Sequence, residues 1–316
     1  MTASDSPALV ADVGGTNTRV ALTRGRGLVA GTTERFRNAE YGGLAQILAA
    51  YLEQQRTAPS RAAIALAGPV RGDRAEMTNL GWVIEAGALA DFCGLQEVAL
   101  LNDLQAQGHA LPDLPESHLR RIREGSPEGG TKLVIGLGTG VNAAPVYPVN
   151  GGHLVPPAEA GHIHLPLHEA LDFRLSDWLI ARRGFASVED VLAGSGLERL
   201  YAFHASEAGV SQAQDAAAIM AAMEAGDALA QRTGRHYVRL LAQVSADLAL
   251  ITLPGAGIYY IGGVARAMAP WFERFGFEAA FTDMGRFSDL VARFPVAVVE
   301  DDYAALTGCA AYLHTH

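Results

Sequence analysis

The sequence predicts a mixed α/β fold arranged in two lobes, and three observations lead to that prediction. Short apolar runs that end in glycine or polar residues alternate with segments whose apolar residues recur at helical spacing. The pattern of apolar run, glycine turn and apolar run occurs twice, near the amino terminus and near the middle of the chain. The 316 residues, of which 49% are hydrophobic, are also enough for about two domains of ordinary size.

The first half of the chain begins with strands and then alternates strands with helices. The stretch ALVADVGGTNTRVAL predicts a hairpin at Gly14 and Gly15, and a third strand is expected from Leu28 to Phe36. A helix follows, with apolar residues at helical spacing: Leu44, Ile47, Leu48, Tyr51 and Leu52. The runs AAIALAGPV and VALLND predict buried strands, the second of which ends in the polar pair Asn102 and Asp103.

The second half repeats the opening pattern and then becomes mostly helical. Residues 110–132 are rich in proline, glycine and charge, so they are the candidate boundary between the lobes. KLVIGLGTGVNAAPV again predicts strand, glycine turn and strand. An amphipathic stretch begins with Leu175, Leu179 and Ile180, and residues 216–253 form the longest helical segment. GIYYIGGV is the last predicted strand, and AMAPWFERF and YAALTGCAAYLH are predicted helices.

Composition and charge limit the class of protein. The net charge of −10 would repel nucleic-acid backbones and anionic lipid, so we expect small-molecule partners and neither nucleic acid nor membrane. Two cysteines, Cys93 and Cys309, are too few for a disulfide framework, and this fits a reducing cytoplasm. The start MTASDSP lacks the features of a signal peptide and is expected to fray, and polar residues and Pro254 interrupt the most apolar long segment.

The two glycine turns have two possible roles. Gly14 and Gly15 could form an ordinary hairpin turn, or their backbone N–H groups could hold phosphate oxygens. Asp12 favours the second role, because a carboxylate at a strand end beside phosphates can hold Mg²⁺ through water. The turn at residues 136–140 contains GLGTG, but its spacing and the prolines that follow argue against a dinucleotide-binding helix, although Glu159 lies near the required distance.

Polar residues in three further places are candidates for substrate chemistry. Asp103 could take a proton from a substrate hydroxyl, or it could simply cap a helix. The loop PPAEAGHIHLPLH carries Glu159, His162, His164 and His168, which could bind sugar hydroxyls or, with poorer spacing, zinc. Glu189 could join a sugar site or serve only as an acidic residue at a helix start.

These motifs together resemble the bacterial glucokinases of the hexokinase and actin-like ATPase superfamily, from Ala8 nearly to the carboxyl terminus. ADVGGTNTRVAL resembles the first phosphate motif, GLGTG the second, and YYIGGV the glycine pair on the adenosine side. GPVRGDRAEMTN, LLND, EAGH, VLAGSGLERLY and FTDMGRF also occur in the order that the family has. The resemblance implies a two-lobe actin-like ATPase fold, related to ribonuclease H, in which each lobe is a mixed sheet flanked by helices and a cleft lies between them. Residues 1–112 and 297–316 would form the small lobe and residues 113–296 the large lobe.

The resemblance also implies a role for each site residue. The expected reaction is phosphorylation of the glucose 6-hydroxyl by ATP with Mg²⁺, and a homodimer formed through the larger lobe is expected. Asp103 is the implied catalytic base, and the implied sugar contacts are Asn102, Asp103, Glu159, His162 and Glu189. The implied nucleotide contacts are Asp12, Gly14, Gly15, Thr16, Asn17, Gly138, Thr139, Gly262 and Gly263. Asp12 would hold Mg²⁺ through water.

The sequence departs from the family pattern at Asn142, Ala158 and Ala160, where glycines are common. The alanines could shift Glu159 and loosen sugar selectivity, so a kinase for another hexose is one alternative. A sugar sensor without turnover is the second, although the seven residues before Ala8 are too few for the DNA-binding segment of a related repressor. A dehydrogenase that binds NAD at GLGTG is the third.

Overall fold

The computed structural model describes residues 6–77, 80–210 and 213–316. The first five residues, on which the prediction of a frayed tail falls, lie outside that range, as do Thr78 and Asn79 of the stretch GPVRGDRAEMTN. Strands and helices alternate as the sequence predicts, and the mixed α/β class is confirmed. Within the described residues, no helix is both long and apolar enough to cross a membrane.

The strands are β1 Ala8–Val13, β2 Asn17–Arg24, β3 Gly27–Leu28, β4 Glu34–Arg37, β5 Arg61–Leu66, β6 Val70–Arg71, β7 Arg74–Met77, β8 Trp82–Glu85, β9 Glu97–Asn102, β10 Leu119–Arg123, β11 Lys132–Leu137, β12 Val141–Val149, β13 Gly152–Leu154, β14 Ile258–Ile261 and β15 Val296–Val299. The helices are α1 Leu44–Gln55, α2 Ala86–Cys93, α3 Asp103–Ala110, α4 Ala170–Arg183, α5 Glu189–Leu192, α6 Gly194–Glu207, α7 Ala216–Glu224, α8 Ala228–Thr252, α9 Gly263–Met268, α10 Phe277–Thr282, α11 Ser288–Val291 and α12 Ala304–Thr315.

The chain forms two compact units. Unit 1 contains residues 1–116, 148–157 and 301–316, and unit 2 contains residues 117–147 and 158–300. The sequence predicts lobe boundaries at residues 112 and 296, whereas the unit boundaries lie at 116 and 300, and residues 148–157 of the predicted large lobe belong to unit 1. The boundary at 300 follows from strand pairing, because β15 pairs with β14 inside the sheet of unit 2.

The sheet of unit 1 brings three strand ends to one edge. Its order is β3-β2-β1-β5-β9, with β4 also paired to β2. β1, β5 and β9 run parallel, with Val13 opposite Leu66 and Leu66 opposite Asn102. Helices α1 and α2 cover one face, and α3 and α12 cover the other. Burial on both faces explains the continuous apolar runs in β1 and β5.

The sheet of unit 2 has the same topology around its own hairpin. β11 pairs antiparallel with β12 and parallel with β14, and β14 pairs parallel with β15. Unit 1 uses the same succession in β2, β1, β5 and β9. The core of unit 2 packs α6 and α8 together and includes the buried residues Leu200, Tyr237 and Leu241. The repeated architecture inferred from the two glycine turns is therefore present.

Several predicted elements differ in the structure. The predicted third strand divides into β3 and β4, and residues 110–132 contain β10, which adds an edge strand by pairing with β15. The helical segment over 216–253 breaks into α7 and α8, because Gly226 has a φ of 85° and the side chain of Asp227 caps α8 at Ala230 N, 2.8 Å away. AMAPWFERF is not one helix, since α9 ends at Met268 and a 3₁₀ turn with Pro270 follows. Ile180 is 48% exposed and lies outside the core face of α4.

Candidate active site

The first glycine turn connects β1 and β2 and is held by a residue far along the chain. Gly14 N donates to Asn17 O at 3.0 Å. Asn38 donates from its side chain to Gly14 O at 2.8 Å and from its backbone to Thr16 O at 2.9 Å. Its side-chain oxygen accepts from the buried hydroxyl of Thr18 at 2.8 Å. The sequence analysis missed Asn38, because the contact depends on the pairing of β2 with β4 and has no local signal.

Asp12 lies on β1 directly opposite Arg19 on β2. Its Oδ2 accepts from Arg19 Nη1 at 3.1 Å, and Oδ1 has no hydrogen-bond partner among the described residues. Burial raises the pKa of the Asp12 carboxyl, and the positive charge of Arg19 opposes that shift. One carboxylate oxygen is therefore engaged with a guanidinium and the other can accept further hydrogen bonds.

Asn102 and Asp103 form the junction between β9 and α3. Asn102 is the N-cap: its Oδ1 accepts from Leu104 N at 3.0 Å, and Gln105 completes a capping box by accepting from Asn102 N. Its Nδ2 donates to Gly68 O at 3.0 Å. The capping role considered for Asp103 thus belongs to Asn102, and Asp103 is the first helical residue. Oδ1 of Asp103 accepts from Leu104 N at 2.8 Å.

These residues of unit 1 share one edge of the sheet. Val13, Leu66 and Asn102 occupy one register across three neighbouring parallel strands. Because neighbouring strands are about 4.8 Å apart, the end of β9 lies about 10 Å from the end of β1. The first glycine turn follows β1 and Asp103 follows β9. The candidate phosphate-binding turn and the candidate base therefore lie at the same edge of the unit 1 sheet.

The second glycine turn connects β11 to β12. Gly138 N donates to Gly140 O at 3.0 Å, and Gly194 N, at the start of α6, donates to Gly138 O at 2.9 Å. A strand follows the turn, as the prolines indicate, so the arrangement of a dinucleotide-binding helix is absent here. The hydroxyl of Thr139 has no hydrogen-bond partner among the described residues and is exposed.

Glu189 is the first residue of α5 and packs on the second turn. Its Oε2 accepts from Val141 N at 2.8 Å, and a side chain at Gly140 would place its Cβ 2.7 Å from that oxygen. The adjacent Asp190 fixes the helix start. Although burial alone would raise its pKa, hydrogen bonds from Ser187 and Arg183 lower the pKa of Asp190. Glu189 therefore has a carboxylate position set by backbone contacts, and it is not only an acidic residue at a helix start.

Glu159 and His162 lie in a loop that packs on the same strand. Glu159 precedes a 3₁₀ turn, Ala160–His162, that closes with a hydrogen bond from His162 N to Glu159 O at 3.1 Å. Gly161 lies so close to Val141 that a Cβ would fall 1.9 Å from Val141 O. Val188 N donates to Ile163 O at 3.1 Å, which ties this loop to the start of α5. The loop and Glu189 therefore meet around Val141.

The other two histidines of this segment lie elsewhere. The ring of His164 packs against Phe185 with centroids 4.7 Å apart, and the backbone of His168 donates to buried Asp172 at 3.0 Å. Across the described residues, no group of three or more histidine, cysteine, aspartate or glutamate side chains could hold a metal ion.

The third glycine pair follows β14. Gly262 has a φ of 112°, and a Cβ there would fall 2.2 Å from Leu137 O, so only glycine fits. Gly263 begins α9, and a Cβ at that position would meet nothing within 4 Å. The pair lies next to the second turn, since β14 pairs with β11 and Gly136 is opposite Ile261.

Each of the three glycine motifs contains one glycine packed against the protein and one glycine with open space beside it. At one glycine an added Cβ would lie close to the protein: 3.3 Å from Asn17 O at Gly14, 2.7 Å from Glu189 Oε2 at Gly140 and 2.2 Å from Leu137 O at Gly262. The other has open space where a Cβ would be and no left-handed backbone: Gly15, Gly138 and Gly263. The protein itself gives no steric reason for glycine at these three positions. The open space at these positions would allow a ligand to approach the backbone closely.

Comparison with solved structures defines the class. A glucokinase from an Antarctic psychrotroph superposes with a TM-score of 0.88 at 30% identity, covering 98% of this chain and 99% of that one. A glucokinase of Streptomyces griseus, crystallised with glucose and AMPPNP, has a TM-score of 0.64 at 20% identity, covering 97% and 98% of the two chains. The fold is the actin-like ATPase fold of sugar kinases, as the sequence predicts.

Comparison of sequences narrows the class to one family. The glucokinase family profile matches residues 9–316. A glucokinase of Chelativorans sp. (strain BNC1) is 33% identical over 317 residues, covering 98% of this chain and 92% of that protein. The chain belongs to the glucokinase family. It is a glucose kinase, a phosphotransferase that acts on a hexose hydroxyl, and the resemblance and activity predicted from the sequence are confirmed.

Proposed function

We propose that the chain transfers the γ-phosphoryl group of ATP to the 6-hydroxyl of glucose, with Asp103 as the general base. The observation that carries this proposal is the shared register of Val13, Leu66 and Asn102, which puts the first glycine turn and Asp103 at one edge of a rigid sheet. Phosphoryl transfer depends mainly on positioning and charge stabilisation, so a base and a phosphate turn fixed on one scaffold are the parts that the reaction needs.

Asp103 accepts the proton of the sugar 6-hydroxyl at its carboxylate. The hydroxyl oxygen then forms a bond to the γ-phosphorus as the bond between that phosphorus and the β–γ bridging oxygen breaks. The bridging oxygen leaves with ADP, and the proton stays on Asp103 until it passes to solvent. Leu104 N holds Oδ1 of Asp103 at 2.8 Å, which orients the carboxylate at the strand end.

The open glycines fit the nucleotide phosphates. Gly15 and Gly138 leave open the space that a side chain would fill, and Gly15 adds a backbone N–H for a phosphate oxygen, whereas Gly138 N donates to Gly140 O within its turn. Thr16, Asn17 and Thr139 supply polar groups beside them. On the adenosine side, Gly262 packs against Leu137 and leaves Gly263 open to the ligand.

Asp12 fits a magnesium ion held through water. Its Oδ1 can accept from metal-bound water while Oδ2 stays with Arg19, so direct coordination is not required. When bound, Mg²⁺ supplies charge neutralisation at the phosphate oxygens. Because a protonated carboxyl would not serve this role and burial raises the pKa of Asp12, its contribution is expected to weaken in acid.

We propose that Glu159, His162 and Glu189 bind sugar hydroxyls, and we propose the same role for Asn102. The support is that Glu159, His162 and Glu189 are held by backbone contacts around one residue, Val141. Asn102 has one amide N–H directed at Gly68 O, which leaves its second N–H for a hydroxyl.

We extend the proposal to the nucleotide, the assembly and the cell compartment. The S. griseus glucokinase with bound glucose and AMPPNP supports ATP as the donor. The homodimer and the cytoplasmic location are part of the same proposal, and the two free thiols, Cys93 and Cys309, fit a reducing compartment. Light scattering coupled to size-exclusion chromatography measures the assembly directly.

The test is a product assay with a panel of hexoses. The protein is incubated with ATP, Mg²⁺ and glucose, mannose, glucosamine or fructose, and ADP is quantified while NMR locates the phosphate on the sugar. We expect ADP formation that depends on glucose and a phosphate on carbon 6. Binding of glucose without turnover of any sugar in the panel would contradict the proposal and favour a sensor.

A further inference from the structure

The side chain of Asn142 joins the two peptide groups on either side of Glu159. Asn142 is the second residue of β12, opposite Gly136. Its Nδ2 donates to Ala158 O, and its Oδ1 accepts from Ala160 N at 2.9 Å. Ala158 O belongs to the peptide bond before Glu159 and Ala160 N to the peptide bond after it. A single planar amide therefore holds both peptide units that set the backbone of Glu159.

We infer that Asn142 is the positioning residue that fixes Glu159 for sugar binding. The inference rests on the proposed role of Glu159 in binding a sugar hydroxyl. Glu159 has φ −134° and ψ 49°, a conformation of neither helix nor strand, so no regular backbone ladder holds it. Ala158 and Ala160 offer no polar side chain for this purpose, and the amide of Asn142 supplies both hydrogen bonds.

The residue before Asn142, Val141, holds Glu189, the other carboxylate residue proposed to bind the sugar. Val141 N donates to Oε2 of Glu189 at 2.8 Å, and Asn142 holds the backbone of Glu159. Val141 and Asn142 are consecutive, and the strand that carries them begins immediately after the turn at residues 138–140. The first two residues of β12, which directly follow the second glycine turn, therefore hold the side chain of Glu189 and the backbone of Glu159. A substitution at Val141 or Asn142 should therefore weaken sugar binding more than nucleotide binding.

The test compares Asn142→Ala with Asn142→Asp. The alanine variant loses both hydrogen bonds to the Glu159 loop, so we expect KM for glucose to rise about tenfold or more. KM for ATP should stay within about twofold, because no bond to Gly138 or Thr139 is removed. Asn142→Asp keeps an acceptor for Ala160 N but places a carboxylate oxygen against Ala158 O, where the two oxygens repel, so KM for glucose should rise at least as much as in the alanine variant. Calorimetric titration with glucose alone gives the same comparison without turnover.

Asn38 provides a matched comparison in the other unit. Its side-chain amide also bridges a loop, but the loop is the first phosphate turn, through Gly14 O. Asn38→Ala should therefore raise KM for ATP more than KM for glucose, the reverse of the result for Asn142→Ala. Equal effects of both variants on both substrates would mean that loss of fold stability causes the change, and would overturn the inference.

Glu159→Gln separates failure of this inference from failure of the proposed function. If Glu159→Gln raises KM for glucose and neither Asn142 variant does, Asn142 does not position Glu159 and the inference is wrong. If Glu159→Gln leaves glucose binding unchanged, the proposed sugar role of Glu159 fails, and the inference fails with it. A rise in KM for glucose in all three variants, with thermal transitions close to that of the unmodified protein, supports both.

Discussion

At the scale of single residues, Gly15 is a glycine that the folded chain does not need for steric reasons, and the proposed phosphate ligand would explain it. Its backbone is outside the left-handed region, and a Cβ would meet nothing within 4 Å, so alanine fits the folded chain. The same holds for Gly87 in α2, which is exposed and lies outside the glycine motifs. Gly15 lies in the turn between β1 and β2, where phosphates are proposed to bind, whereas Gly87 lies in α2, where no ligand is proposed.

Gly15→Ala is expected to weaken nucleotide binding without unfolding the protein. The added methyl group would occupy space that the phosphates are proposed to use, so KM for ATP should rise at least about tenfold, as for a loss of about 1.4 kcal/mol of binding free energy. Gly87→Ala is the control and should leave both KM values unchanged. Equal KM for ATP in both variants would show that no phosphate approaches Gly15.

The residue scale also shows where sequence reasoning stops. Asp12, Asp103 and the three glycine motifs could be predicted, because each lies beside a turn or strand end that the local pattern reveals. The sequence could not predict which glycine of each motif has open space beside it, because that depends on Leu137, Glu189 and other residues that the fold brings near. Asn38 was missed for the same reason.

At the scale of secondary-structure elements, helix α3 begins at the candidate base, Asp103, and helix α12 packs against α3. They pack closely on one face of the unit 1 sheet, in a cluster rich in alanine that includes Ala106, Ala310 and Cys309. Gly308 allows this approach, because a Cβ there would fall 1.6 Å from Ala106 O. α3 begins at Asp103, so the fit of these helices sets the position of the base.

Gly308→Ala is expected to destabilise the fold and reduce turnover together. Forcing the helices apart should lower the free energy of unfolding by about 1–3 kcal/mol, as overpacking typically does. Gly87→Ala makes the same change in a helix with open space and should raise stability by up to about 1 kcal/mol. Urea denaturation and kcat for both variants check this. Unchanged stability in Gly308→Ala would contradict the close packing of α3 on α12.

The elements themselves could be predicted where periodicity was strong and local. Both hairpins, α1 and α12 follow from apolar spacing, whereas the interruption between α7 and α8 depends on Gly226 and the Asp227 cap. β10 was hidden in a segment whose proline, glycine and charge resemble a linker. Its role as an edge strand comes from pairing with β15, more than 170 positions later.

Buried histidines in each unit make the stability of the whole molecule depend on pH. Burial lowers the pKa of His109 to about 4, with His316 and His153 contributing, and burial lowers that of His204 to about 3, with His236 and Arg232 contributing. His204 Nε2 lies 3.0 Å from His236 Nδ1, and the buried Nδ1 of His204 has no hydrogen-bond partner in the described part of the chain. Both imidazoles are therefore neutral in the folded protein at neutral pH.

The sign of the effect follows from proton binding. In the unfolded chain these histidines titrate near 6.5, so below that pH the unfolded state binds more protons than the folded state. The free energy of unfolding should fall as the pH is lowered from 6.5 toward 4, by up to about 2 kcal/mol per histidine at about pH 5. Thermal transitions across this range measure it, with His109→Gln and His204→Gln as the variants that should flatten the curve. If the thermal transition of either variant depends on pH as steeply as that of the unmodified protein, the buried histidine replaced in it does not cause the effect.

At the scale of the whole molecule, the central claim is the proposal that Asp103, which follows β9 in unit 1, is the general base of the glucose kinase. The most direct measurement compares Asp103→Asn with the unmodified protein, using ADP formation for turnover and calorimetry for glucose binding. We predict that kcat falls by about 10²–10⁴, the usual contribution of a general base, while the Kd for glucose changes by less than about fivefold. Turnover in Asp103→Asn close to that of the unmodified protein would show that another group takes the proton.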